Sequence, residues 1–371
     1  MTTMTKRFWT GPSILIYLAA LASVAYILAT GFEPSGAPAL HKDMIEASRF
    51  MAAAEAVIRE CRMQRRVPGD SQADPNATGL IGLERSPITT SLGNLEAKRT
   101  TTNPNFAGLL VSLLNEAGLK DGDAFAVGAS GSFPALIIAT LSAAKAMGLK
   151  PLVIPSLGAS EWGANDPSFT WLDMEECLGR AGAAATRPIA LAVGGDEDVG
   201  RNMSSEGREL LSRRMRESGL PFFEETDLKA NVAARLRFYQ EAAGGRPIRA
   251  FVNIGGSWAN IGTNAEVLKL RPGLLSGVFV PPAEEAGVLQ AMAAKGIPVI
   301  HLLNVKGLCE RYGLPWDPRP LPRPGHGGFY RQARRGAAVT ILNSIGYLAI
   351  MALIVVLVKK RDSFTRSSAG A

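Results

Sequence analysis

Apolar and polar positions along the middle of the chain form short blocks that predict strands and helices in turn. The apolar runs 124–127, 151–154 and 250–254 are too short for helices and are typical of buried strands. The stretches 133–147 and 228–243 carry apolar residues at three- and four-residue steps and predict helices. Such alternation indicates βαβ units around a mostly parallel sheet. We therefore expect an α/β domain of Rossmann-like, three-layer type with five to seven strands.

Weaker apolar runs predict further strands at 189–193, 222–223, 278–280 and 299–303. The stretch 78–105 is different, because it is rich in threonine and has no apolar period, and we expect it to lie outside the core. Lys98, Arg99 and Thr101 in this stretch supply two cations and a hydroxyl. They either clamp carboxylates through charge-assisted hydrogen bonds or belong to a solvated surface loop.

Two long apolar segments, 11–32 and 337–358, contain no charged residue. About 20 residues at about 1.5 Å each cross a bilayer core of about 30 Å, so each segment predicts a transmembrane helix. A cleavable signal peptide is the rival interpretation of the first segment. Lys6 and Arg7 precede the first segment, and a basic tail follows the second. This distribution favours cytoplasmic termini.

The predicted organisation therefore has five parts in a bacterial inner membrane. These are a cytoplasmic tail (1–10), a first transmembrane helix (11–32), an extracytoplasmic α/β domain (33–336), a second transmembrane helix (337–358) and a basic cytoplasmic tail (359–371). The net charge of +7 suits an anionic partner. Nucleic acid is not expected as that partner, because no aromatic-plus-basic motif or helix-turn-helix pattern occurs.

Cysteine and acidic residues add little chemistry. Cys61, Cys177 and Cys309 have no zinc-site spacing, and the favoured interpretation is three small buried hydrophobes. A single disulfide in an oxidising compartment stays open. The acidic run 196–198 lacks histidine or cysteine neighbours, so only a hard cation bound by oxygen ligands would suit it. We expect neither a metal nor a cofactor.

Glycine- and serine-rich loops follow the predicted strands at 128–134, 156–165, 194–198 and 253–260. In open parallel sheets ligands bind beyond the carboxyl ends of the strands, where these loops lie. Their small residues let a ligand approach backbone amides. The candidate ligand-binding residues, taken with the polar stretch, are Lys98, Arg99, Thr101, Ser130, Gly131, Ser132, Ser160, Asn165, Gly195, Gly256 and Ser257.

Ser130 is the sharpest catalytic candidate, because it follows a strand and precedes a helix as a nucleophile elbow requires. The order Ser130, then Asp196 (or Asp198), then His301 matches the order of nucleophile, acid and base in α/β-hydrolases. The motif departs from that pattern, since Ser132 stands where a glycine is usual. In the alternative interpretation Ser132 caps the helix, Ser130 lines an anion-binding turn and His301 is a satisfied core residue.

Several longer motifs resemble those of the bacterial "poly-gamma-glutamate system protein" family. They are Asp74–Gly82, Lys98–Asn105, Ser130–Pro134, Gly163–Asn165 and Trp171–Asp173. The resemblance covers most of the domain between the apolar segments. It implies an association with the machinery that makes and exports poly-γ-glutamate, but it supplies no reaction and no catalytic residue.

Three functions fit these observations. The first is an accessory membrane protein whose basic domain binds poly-γ-glutamate or a synthase or export subunit. The second is a serine-dependent hydrolase or transpeptidase that acts on γ-glutamyl amide bonds. The third is a purely structural subunit of the synthase complex.

Overall fold

The structure, a computed structural model, describes residues 39–183 and 186–327 and the isolated positions 21, 330, 345–347 and 349. The chain divides into a unit Ala39–Tyr330 and a second unit formed by Met1–Pro38 and Arg331–Ala371. The two predicted transmembrane segments lie almost entirely outside the described residues. Within the described part of the chain, no helix is both long and apolar enough to span a bilayer.

A seven-stranded sheet forms the centre of the unit Ala39–Tyr330. Its strands are β1 (Ala124–Ser130), β2 (Lys150–Ser156), β3 (Leu191–Ala192), β4 (Phe222–Phe223), β5 (Ile248–Ile254), β6 (Gly273–Leu274) and β7 (Val299–Leu302). Their order is β4-β3-β2-β1-β5-β7-β6, and β6 alone of these strands runs antiparallel to its neighbour. Every residue of β1 is buried, so both faces of the sheet are covered. The predicted α/β class with a mostly parallel sheet is confirmed.

Ten α-helices accompany the sheet in the described residues. They are α1 (Ala39–Gln64), α2 (Leu95–Thr101), α3 (Asn105–Glu116), α4 (Pro134–Ala146), α5 (Trp171–Arg180), α6 (Ser205–Glu217), α7 (Leu228–Ala243), α8 (Trp258–Ile261), α9 (Val288–Ala294) and α10 (Val305–Tyr312). Helices α1, α3 and α4 pack against one another, whereas α7 and α9 pack on β5. Tyr239 of α7 packs edge-to-face on Phe251 of β5, and its hydroxyl donates to Val127 O over 2.9 Å.

The strand order positions a crevice. The chain builds from β1 outward through β2, β3 and β4, and then places β5 on the opposite side of β1. The order reverses between β1 and β5, and ligands bind at such a reversal, beyond the carboxyl ends of the strands. The turns after the two strands touch there. Gly255 has φ +77°, and a Cβ at this position would lie 2.9 Å from Ser130 Cβ, so a larger residue would clash.

Two predictions about secondary structure are wrong. The polar stretch 78–105 contains helix α2, and the side chains of Lys98 to Asn103 are buried. Residues 278–280 form no strand, because two prolines follow directly and the side chain of Val280 is 45 % exposed. The edge strand is instead β6, whose two residues pair with His301 and Ile300 of β7.

The prediction for two of the cysteines is also wrong. Cys61 of α1 and Cys177 of α5 form a disulfide across 116 residues of sequence, and Cys309 is buried as a free thiol. Only the packing of α5 beside α1 brings the two sulfurs together. Their separation along the chain carries no signal of this pairing.

Candidate functional site

The turn that joins β1 to α4 holds two serines in fixed positions. Ser130 is the last residue of β1, and its Oγ accepts a hydrogen bond from Ser132 N over 3.2 Å. Phe133 N donates to Ser130 O over 3.1 Å, which closes the turn. Helix α4 then begins at Pro134, a residue that needs no hydrogen-bond acceptor in the first turn. The positive end of the α4 dipole therefore lies beside the serines.

A third serine reaches this turn from the loop after β2. Ser160 N donates to Ser132 Oγ over 2.9 Å, and Ala164 N donates to Gly131 O over 2.8 Å. Gly163 permits this close approach, since a Cβ there would lie 2.8 Å from Ser132 Cα. The loops after β1 and β2 are thus locked together. Ser132 and Ser160 are only 9 % and 7 % exposed to solvent.

Lys98 of α2 completes the cluster. Its Nζ donates to Ser160 Oγ over 2.7 Å and also to Ser132 O. The same Nζ lies 4.0 Å from the centroid of the Phe133 ring, within cation–π range. The lysine side chain is 3 % exposed, so these contacts replace nearly all of its water.

The surroundings of Lys98 disfavour its charged form. Both of its hydrogen-bond acceptors are uncharged, and burial lowers the pKa of the ammonium to about 7, against a smaller opposing effect of Glu161. The Glu161 carboxylate accepts hydrogen bonds from Arg85 Nε and Gly93 N, each over 3.0 Å. A large fraction of Lys98 is therefore a neutral amine at neutral pH, with a lone pair close to a serine hydroxyl.

This pKa makes a prediction about stability. The unfolded chain keeps Lys98 protonated up to its ordinary pKa of 10.5, whereas the folded chain releases the proton near pH 7. Between these values the unfolded state binds more protons, so the stability of the fold rises with pH. The expected slope is at most about 1.4 kcal/mol per pH unit. Urea unfolding from pH 7 to 10 should show this rise in the wild type, and Lys98→Met should remove it. Identical slopes in the two proteins would contradict the assignment.

Arg99 and Thr101, on the same helix, do not line this cluster as ligand-binding groups. The Arg99 guanidinium binds Asp317 through two hydrogen bonds of 2.7 Å each, and Thr101 Oγ1 donates to Lys98 O over 2.7 Å. The ion pair holds the pKa of the Asp317 carboxyl below its usual range. These groups fix α2 to the segment after α10. The interpretation as a solvated surface loop is therefore wrong, and the carboxylate that Arg99 binds belongs to the protein itself.

Other predicted ligand-binding residues have structural contacts. The Asn165 amide donates to Leu83 O and accepts from Leu83 N, over 2.8 and 2.9 Å, and so ties two loops together. Gly195 adopts φ +70° beside the side chain of Asn202. Gly256 is exposed after β5, whereas Ser257 is 8 % exposed and lies directly before helix α8.

The structure does not assemble Ser130, Asp196 and His301 into a triad. Asp196 follows β3, Ser130 ends β1 and His301 lies on β7. In the strand order, β3 and β7 are each two strands away from β1, on opposite sides of it. Asp196 and His301 are therefore each separated from Ser130 by about 10 Å across the sheet. Asp196 is exposed and contacts Asn202. His301 Nδ1 pairs with Asn253 Nδ2 over 3.0 Å, and burial lowers its pKa to about 4.

Sequence reasoning placed Lys98 and Ser160 among ligand-binding residues and missed their contact. No spacing rule links residues 62 positions apart. One feature of the sequence could have indicated the contact: Lys98 lies in a stretch of hydroxyl and amide residues without an apolar period. In this protein such a stretch forms a buried polar helix. Asn253 within β5 and Asn260 beyond it, at 0 % and 1 % exposure, were also missed.

The comparisons with known proteins give no relative for this arrangement. No protein-family model matches the chain, and neither a curated protein nor a solved structure matches it. The chemistry of the site is therefore the basis for assigning a function.

Proposed function

We propose that the domain is a serine-dependent amide hydrolase or transpeptidase in which Ser160 is the nucleophile and Lys98 is the general base. The observation that carries this proposal is the 2.7 Å contact between Lys98 Nζ and Ser160 Oγ in a site where the lysine has only uncharged acceptors. A serine becomes nucleophilic when a neighbouring base takes its proton, and a desolvated lysine is one such base. Ser160 thus takes the place that the sequence suggested for Ser130.

The proton and bond changes follow from this contact. The Ser160 hydroxyl passes its proton to the neutral Lys98 Nζ as Oγ attacks the amide carbonyl carbon. Collapse of the tetrahedral adduct breaks the C–N bond, and the Lys98 ammonium returns the proton to the leaving nitrogen. The α4 N-terminus beside Ser132 favours the negative charge that develops on the carbonyl oxygen. Water then hydrolyses the Ser160 ester, or an amine on another chain takes the acyl group.

The substrate class of the proposal is the γ-glutamyl amide bond of poly-γ-glutamate. Two observations support it: the motifs that resemble the poly-gamma-glutamate system family, and the net charge of +7, which favours a polymer with one carboxylate per residue. Neither observation depends on the Lys98–Ser160 geometry. The reaction and the substrate are therefore separate parts of the proposal.

The test is the chain length of poly-γ-glutamate after incubation with the purified full-length protein, measured by size-exclusion chromatography. We expect the wild type to shorten the polymer or to join chains. Ser160→Ala should abolish both effects, because no other hydroxyl contacts Lys98 Nζ among the described hydrogen bonds. Ser130→Ala is the matched control, and it should keep activity. Activity that survives in Ser160→Ala and is lost in Ser130→Ala would contradict the assignment.

A polymer-binding accessory protein is the second candidate, and the net charge of +7 is the observation that favours it. This function needs affinity for the polyanion without any change in its length. Salt-sensitive binding that is equal in the wild type, Ser160→Ala and Lys98→Met, with the polymer length unchanged in each case, would select it over the enzyme.

We also propose that the domain lies outside the cytoplasm, anchored by the two apolar segments. The Cys61–Cys177 disulfide supports this location, because disulfides persist in oxidising compartments. Thiol-specific mass tagging of protein from intact cells, quenched with acid, tests the prediction. Both cysteines should resist the tag until reductant is added, whereas Cys309 should take it once the chain is unfolded. Free Cys61 and Cys177 in freshly quenched cells would contradict the location.

A further inference from the structure

A second polar cluster lies in the crevice between β1 and β5, apart from Lys98 and Ser160. Gly128, Asn253 and His301 are register partners across β1, β5 and β7, so they form one row across the sheet. Residues paired in this way point to the same face of a parallel sheet. The row stands at the reversal of strand order, where open α/β sheets bind ligands.

The side chain of Asn260 in α8 lies against Gly128, the β1 member of this row. A Cβ at Gly128 would lie 2.6 Å from the amide carbon, nitrogen and oxygen of Asn260, so only glycine leaves room for that amide. Asn260 is 1 % exposed, yet neither its Oδ1 nor its Nδ2 finds a hydrogen-bond partner among the described residues. The same is true of Asn253 Oδ1 and of Ser257 Oγ.

Four buried polar atoms without a described protein partner in Asn253, Ser257 and Asn260 are a large departure from ordinary packing. Each such atom costs about 1–3 kcal/mol if it stays unsatisfied. Native folds keep only a few such atoms, and those that persist need an explanation. Ser257 directly precedes α8, and Asn260 N donates to Ser257 O over 3.0 Å, so the two residues lie about one helical turn apart.

A buried ion pair lies beside helix α8. Helix α8 packs against the turn at Asp196–Asp198 and against α7. In those elements Asp198 and Arg235 form an ion pair of 2.5 Å in which both side chains are 1 % exposed. His301 is neutral at pH 7, because burial lowers its pKa to about 4. A charged ligand group would find no free counter-charge among these residues and would be costly to bury.

We infer that Asn253, Ser257 and Asn260 form a binding site for an uncharged carboxamide group. A primary carboxamide carries two N–H donors and one carbonyl acceptor. The donors match Asn253 Oδ1 and Asn260 Oδ1, and the acceptor matches Asn260 Nδ2 or the Ser257 hydroxyl. A carboxylate of the same shape has no donor for the two amide oxygens and brings an unpaired charge.

This site uses none of the side chains of the Lys98–Ser160 pair, and the inference does not rest on the proposed reaction. The loops that carry the two clusters meet at the Ser130 turn, where Gly255 of the β5 loop touches Ser130. Loss of activity in Ser160→Ala therefore says nothing about the carboxamide site. Loss of amide binding likewise leaves the reaction untouched.

The test compares propionamide with propionate, which has nearly the same shape, by ligand-observed NMR titration of the purified full-length protein at pH 7. We expect propionamide to bind at least about tenfold more tightly than propionate, because the carboxylate leaves buried oxygens unpaired. Asn260→Leu should weaken propionamide binding by about tenfold, while the fold remains intact because leucine removes two unsatisfied atoms. Ser160→Ala should bind propionamide like the wild type.

Any one of three results would overturn the inference. The first is equal affinity for propionamide and propionate, and the second is an affinity for propionamide that Asn260→Leu leaves unchanged. The third is a high-resolution crystal structure, after soaking with propionamide, in which ordered waters alone satisfy Asn253, Ser257 and Asn260. Electron density for the amide against these three residues would instead support it.

Discussion

Replacing Lys98 by methionine is expected to lower the proposed turnover of γ-glutamyl amide bonds by about 10²–10⁴-fold, the usual contribution of a general base. Methionine keeps the apolar stem beside Phe133 but has no nitrogen to take the Ser160 proton. The measurement is kcat/KM with purified protein and poly-γ-glutamate. Lys98→Arg is the matched control, because an arginine stays protonated and should be as inactive as methionine.

The pH dependence of the same reaction is an independent test of Lys98 as the general base. The ammonium form of Lys98 cannot accept a proton, and its pKa is about 7, so kcat/KM should fall as the pH falls below 7 and level off above it. The slow reaction that remains in Lys98→Met should not show this fall in kcat/KM below pH 7. Wild-type turnover in Lys98→Met, or a wild-type profile that is flat through pH 7, would remove Lys98 from the mechanism.

Replacing Asp198 by asparagine is expected to destabilise the fold by about 3–5 kcal/mol, the usual effect of removing one partner of a buried ion pair. Asp198 Oδ2 accepts from Arg235 Nη2 over 2.5 Å and from Asn231 Nδ2 over 3.2 Å. The substitution leaves the Arg235 guanidinium, which is 1 % exposed, without its counter-charge. The free energy of unfolding from urea titration measures the loss.

Two further proteins separate charge from packing in this experiment. The double variant Asp198→Leu with Arg235→Met should be much more stable than Asp198→Asn, because no isolated charge remains in the interior. Glu284→Gln removes the exposed partner of Lys229, and we expect no measurable change there. If Asp198→Asn were as stable as Glu284→Gln, the ion pair would not support the crevice.

Much of the fold was predictable, because its main strands are short apolar runs, although the run 278–280 has the same appearance and forms no strand. Helix α4 follows β1 and helix α7 precedes β5, glycine-rich loops follow both strands, and α7 has the predicted bounds. The two-residue strand β6 was not predicted, because Gly273 and Leu274 pair with β7 without any strand preference of their own. The disulfide was not predicted for a similar reason, because its two cysteines meet only after α1 and α5 have packed.

The candidate site was predictable as a region and not as a mechanism. The rule that ligands bind beyond the strand ends led to the loops at Ser130 and Ser160, and both loops lie there. The order of residues along the chain suggested Ser130 and His301 as partners, but the order of strands in space places β5 between their strands. The sequence placed Lys98 outside the core because the stretch around it has no apolar pattern. A polar helix that is buried and satisfied by hydrogen bonds does not show such a pattern.

The most direct test of the Lys98–Ser160 pair is covalent labelling with a fluorophosphonate probe, followed by peptide mass spectrometry. An activated serine attacks the phosphorus and displaces fluoride, and the base beside it makes the attack fast. We expect the added mass on Ser160 in the wild type, and a much slower label in Lys98→Met. A label on Ser130, or a protein whose Ser160 stays unmodified while a reference serine hydrolase reacts fully, would contradict the account.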